Sequence, residues 1–142
     1  MKGYPKWFTA KLITGFCLVS FVTGLSLFPT FLNLKMEWDM PWTLQADQRT
    51  WVIAGHVLFG FISFMILGAL FSLHMRLGWR KKTKVKSGIA LVVLTFILGL
   101  TGISVLYMGN EQLSNASSIT HFFAGLTLTS VYFLHLFLKG KK

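Results

Sequence analysis

The sequence predicts an all-α integral membrane protein, one domain of four spanning helices bundled with both termini cytoplasmic. Three observations predict it: four long apolar segments without internal charge, a one-sided placement of basic residues, and a composition too apolar for a small soluble globule. Of the 142 residues, 54% are hydrophobic and 13% charged, and the mean hydropathy is +0.62. Too little polar surface remains to cover a water-soluble domain of this size. A bilayer's hydrocarbon core needs about 20 apolar residues of helix, and the segments near 12–32, 51–74, 87–108 and 117–138 meet that need with no Asp, Glu, Lys or Arg inside them.

The first span follows Lys2, Lys6 and Lys11, as a signal peptide's apolar run would, but no small-x-small cleavage site follows it, which predicts a retained helix. The second begins at Trp51, where an amphipathic ring suits the headgroup zone; Trp7, Trp38, Trp42 and Trp79 also fall at or beyond span ends. The connector 33–50 contains Trp38, Asp39, Met40, Pro41 and Trp42, apolar enough to lie along the membrane surface as a short interfacial helix. The third and fourth spans follow the basic connector 75–86 and a short polar link.

Charge orients the spans. Of the 14 Lys and Arg residues, all but Lys35 and Arg49 lie at the N-terminus, in the middle connector (Arg76, Arg80, Lys81, Lys82, Lys84, Lys86) or at the C-terminus (Lys139, Lys141, Lys142). These segments share one side of a four-span chain. All four acids, Glu37, Asp39, Asp47 and Glu111, fall on the other. The positive-inside rule then places both termini in the cytoplasm. The net charge of +10 is thereby a topology signal read by the lipid bilayer rather than a nucleic-acid footprint. A single cysteine, Cys17, excludes an internal disulfide, a CxxC pair and a four-thiolate metal site from this chain alone.

The histidines carry the chemistry. His56 and His74 lie on the second span, His121 and His135 on the fourth. A titratable ring in hydrocarbon is costly unless paired or ligated. The 14-residue interval on the fourth span returns within about 40° of one face, and the 18-residue interval on the second closes about five turns. The two spans run in the same direction, so His56 pairs in depth with His121 near the outer surface, and His74 with His135 near the cytoplasm. Two imidazoles without a carboxylate or thiolate are a poor cage for zinc or calcium. They suit the two axial positions of a haem iron, and filling both favours electron transfer over oxygen binding. Glycines let a flat cofactor approach a helix: Gly88 and Gly102, again 14 residues apart, with Gly99, on the third span, and Gly15 and Gly24 on the first. Arg49 is placed for outer haem carboxylates, and Arg76, Arg80 or Lys81 for inner ones.

This pattern resembles the membrane di-haem cytochromes b of respiratory chains. It is similar to the four-helix cytochrome b core of quinol:cytochrome c oxidoreductases and to formate dehydrogenase gamma subunits. The resemblance implies two non-covalent, bis-histidine haems b, with His56 and His121 on the outer and His74 and His135 on the inner. It also implies a bacterial cytoplasmic membrane, a quinone or quinol pool at one end, and other subunits of a redox complex as partners. One departure stands out: the quinol-oxidising family spaces both ligand pairs near 14, whereas the second span here uses 18. The rise between ligands is about 27 Å on one helix and about 21 Å on the other, a difference that helix tilt or a bulge near Gly68 would absorb.

The function expected is electron carriage across the bilayer by a di-haem subunit of a membrane oxidoreductase, rather than an enzyme complete in itself. Glu37, Asp39 and Asp47 are the nearby carboxylates for quinone protons, if they are more than solvated loop residues. The connectors 33–50 and 75–86 are the two docking options for partners. The alternatives are a haem-free anchor or assembly subunit whose histidines join helices, and a small transporter using them as relays. Against the transporter, the spans lack internal carboxylates and a proline deep in any core, Pro29 being near an outer end.

Overall fold

The computed structural model describes residues 8–137, which are helical apart from the connectors. Lys2, Lys6, Trp7, Leu138, Lys139, Lys141 and Lys142, all used above, lie outside the described residues. Helix α1 covers Ala10–Met36 and α2 covers Ala46–Leu70. A π-helical turn, Phe71–Met75, joins α2 without a break to the five-residue α3, Arg76–Arg80. Helix α4 is Val85–Tyr107 and α5 is Glu111–Phe137. Four continuous helices are thus long and apolar enough to cross a membrane, Ala46–Arg80 counting as one.

Each helix starts before the apolar segment that announced it, and two of the starts are fixed by capping groups rather than by hydrophobicity. Thr9 Oγ1 accepts from the Leu12 N–H at 3.3 Å, and Asn110 Oδ1 from the Leu113 N–H at 3.0 Å, satisfying backbone donors that a helix start leaves unpaired. Span four therefore begins at Glu111 rather than 117, and span three stops at Tyr107, leaving Met108 extended. Span two runs on to Arg80, which shrinks the basic connector to four residues, 81–84.

The interfacial helix expected around Trp38 to Trp42 is absent; residues 37–45 carry no helix. Pro41 lacks an N–H and holds the residue before it away from the helical region. Left-handed Glu37, φ 54°, ends α1. The strand of chain beyond is tied back by Asn33 Nδ2 donating to the Trp38 carbonyl at 3.2 Å, and by the Leu44 N–H donating to buried Thr30 Oγ1 at 3.1 Å.

The packing forms two antiparallel pairs, α1 along α2 and α4 along α5, joined where α1 also meets α5. There Phe28 stacks on Phe122 with centroids 3.5 Å apart, and Tyr132 bonds to Thr14. Helices α2 and α5, which run parallel and, with the π-helical turn after α2, carry the histidines, hardly touch through their backbones. Large apolar side chains cover the outside, as at Leu58 (56% exposed), Phe61 (64%) and Met65 (63%).

Candidate functional site

The space between α2 and α5 is a cavity of about 1370 Å³ lined by all four histidines. That exceeds the roughly 300–1,000 Å³ of a pocket for one small ligand. At the end nearer residues 37–45, the outer end by the charge pattern, the rings of His56 and His121 face each other with centroids 5.9 Å apart and planes at 74°. At its inner end His74 and His135 stand 6.2 Å apart with planes at 63°. The two pairs are those that helix direction alone set at common depths.

The unequal intervals are reconciled near the inner end. The π-helical turn fits an extra residue into one turn and shortens the His56 to His74 rise by roughly 1.5 Å. It lies at Phe71–Met75, beyond Gly68, and contains His74 itself.

An Nδ1–H tautomer satisfies every contact that three of the rings make. The Ser20 carbonyl, which only accepts, lies 3.1 Å from His56 Nδ1, so Nδ1 carries the hydrogen. Thr23 Oγ1, also 3.0 Å from that atom, directs its own hydrogen to the Val19 and Ser20 carbonyls and so accepts as well. On α4, Thr101 donates to the Ile97 carbonyl at 2.7 Å and accepts from His121 Nδ1 at 3.0 Å. Ser87 donates to the Lys84 carbonyl at 3.1 Å and accepts from His135 Nδ1 at 2.8 Å. In neutral rings this leaves Nε2 with the lone pair. Among the described residues no donor meets Nε2 of His56, His121 or His135.

Three glycines sit directly against these rings. A Cβ on Gly24 would lie 3.1 Å from His56 Cε1, one on Gly102 3.3 Å from His121 Cε1, and one on Gly88 4.0 Å from His135 Cε1. Gly15, also a candidate, faces open space, and Gly99 makes room for the Phe64 ring. Arg49 lines the outer end of the cavity together with Lys35; Lys81 and Lys84 line the inner end, whereas Arg76 and Arg80 do not. Glu37, Asp39 and Asp47 are exposed and line none of it.

Among the described residues no three of His, Cys, Asp and Glu group closely enough to cage a bare metal ion. The arrangement fits a metal that brings its other donors with it. Two imidazoles holding such a metal through Nε2 at about 2.0–2.1 Å would stand with ring centroids roughly 6.3–6.5 Å apart. The observed 5.9 and 6.2 Å are slightly shorter, and the lone-pair nitrogens of His56, His121 and His135 and the cations at each end would suit an anionic porphyrin. Sequence reasoning missed Thr23, Thr101, Ser87, Lys35 and Lys84. The hydroxyl residues had a visible signal, each standing immediately before one of the three glycines.

No protein-family model, curated protein or solved structure matches the chain.

Proposed function

We propose that the chain is a di-haem b-type cytochrome subunit that carries electrons across a bilayer between a quinone or quinol pool and a partner redox protein. It would be an integral protein of a bacterial cytoplasmic membrane with both termini on the cytoplasmic side. The observation that supports this reading is the double histidine pair: two parallel helices, two facing pairs near 6 Å, and, in His56, His121 and His135, a partner at Nδ1 that leaves the lone pair on Nε2. Helix-joining histidines, the rival reading, would account for the Nδ1 contacts but give no reason for two facing ring pairs along one cavity.

His56 and His121 would hold the outer haem, and His74 and His135 the inner. Held by two histidines, a haem would supply one-electron redox chemistry. Gly24, Gly102 and Gly88 keep the ligand rings close to α1 and α4, leaving the cavity's width for the macrocycle. Arg49 and Lys35 outside, and Lys81 and Lys84 inside, would meet carboxylates at the two mouths. The apolar helix exteriors take lipid, and the sidedness of Lys and Arg supports the orientation.

Purification in detergent, a dithionite-reduced spectrum and extraction of non-covalent haem test this. Two haems b per chain are expected; a chain expressed with ample haem that holds none refutes the reading.

A further inference from the structure

A serine or threonine in a helix turns its single hydrogen back to a carbonyl one turn earlier, which makes its oxygen an acceptor toward any neighbouring helix. Thr23, Thr101 and Ser87 all do this, at 2.8, 2.7 and 3.1 Å, and each presents the oxygen to a histidine Nδ1. The residue after each is the glycine that lets the ring come close. Thr14 and Gly15 form the same dipeptide with no histidine before them. There Thr14 donates to the Ala10 carbonyl at 2.8 Å and takes the Tyr132 hydroxyl at 2.7 Å. The acceptor role thus belongs to the helix geometry, and three copies of it are aimed at candidate ligands.

We propose that Thr23, Thr101 and Ser87 are positioning residues that hold each imidazole with its hydrogen on Nδ1 and Nε2 turned to the cavity, and so set how strongly the ring donates to a bound iron. The proposal rests on the di-haem reading. A hydrogen bond from the far nitrogen fixes ring orientation and raises ligand basicity, which favours ferric iron and lowers the reduction potential. His56 has a second acceptor in the Ser20 carbonyl at 3.1 Å, so Thr23 shares its task. His121 likewise has the Leu98 carbonyl beside Thr101, so Thr101 shares its task as well. Ser87 passes the inner contact on to Lys84, whose Nζ donates to the His135 carbonyl at 2.7 Å, so the short cytoplasmic turn grips the inner ligand from both ends.

The test is Thr101→Val in the full chain in detergent, with Thr101→Ser as rescue and Thr23→Val as comparison. Potentiometric titration should show one haem moved to higher potential and bound about 10–100-fold more weakly, with the other unmoved. Thr101→Ser should restore both values, and Thr23→Val should shift the same haem in the same direction. Histidine ¹⁵N NMR of the haem-free chain gives an independent readout, with Nδ1–H tautomers in the wild type and loss of one in Thr101→Val. Wild-type rings carrying hydrogen on Nε2, or a Thr101→Val chain unchanged in potential and haem affinity, would overturn the proposal. Nδ1–H rings in a chain that takes up no haem would instead overturn the di-haem reading and leave the hydroxyl-held tautomer standing.

Discussion

His74 meets His135 at 6.2 Å between ring centroids even though His74 is 18 residues from His56 and His135 only 14 from His121. The π-helical turn that holds His74 is part of the reason, and it marks the inner pair as the adaptable one. His135→Ala or His74→Ala should lower the haem count from two to one per chain and keep the outer haem's potential. His121→Ala should also leave one, with the inner potential kept. Haem extraction with redox titration checks both, and an unchanged count in any of the three contradicts the pairing.

The same turn replaces regular helix hydrogen bonds over Phe71–Met75, so its amides should exchange with solvent deuterium faster than those of residues 58–66 in the haem-free protein. Haem loading should slow that exchange by fixing His74. Equal rates across both stretches would argue against a weak point there.

Glycine substitutions separate contact from mere helix composition. Valine at Gly102 or Gly24 must push on the ring of His121 or His56, and overpacking of this kind costs about 1–3 kcal/mol. Outer haem retention should fall by one to two orders of magnitude. Gly15 has open space, so Gly15→Ala should bind haem as the wild type does and gain up to about 1 kcal/mol of helix stability. Competition with apo-myoglobin measures the retention.

Arg49→Gln removes a cation at the outer mouth. A charge-assisted hydrogen bond is worth about 1.5–3 kcal/mol, so outer haem affinity should drop about tenfold or more. Its potential should fall, because a nearby positive charge favours the reduced state. Arg76→Gln and Arg80→Gln, which lie off the cavity, should leave both haems unchanged.

Much of the architecture was legible in the residues. Charge-free runs placed the four helices, and the parity of spans two and four put His56 opposite His121 and His74 opposite His135. Helix ends were less legible, because Thr9 and Asn110 act through caps outside the apolar runs. Phe71–Met75 holds no glycine or proline, so nothing in its composition announces a π turn at that place. The partners of the rings were hidden for a different reason. The dipeptide Thr101-Gly102 docks a histidine while the identical Thr14-Gly15 docks a tyrosine, and only packing tells them apart. Gly15 and Gly24 looked equivalent on span one, yet only Gly24 meets a ligand candidate.

The most direct measurement is an anomalous difference map at the iron edge from crystals of the purified protein. Two iron peaks are expected, one bridging Nε2 of His56 and His121 and the other Nε2 of His74 and His135, each within a flat density. A map with no iron peak, or with iron bound anywhere other than between these rings, would contradict the account.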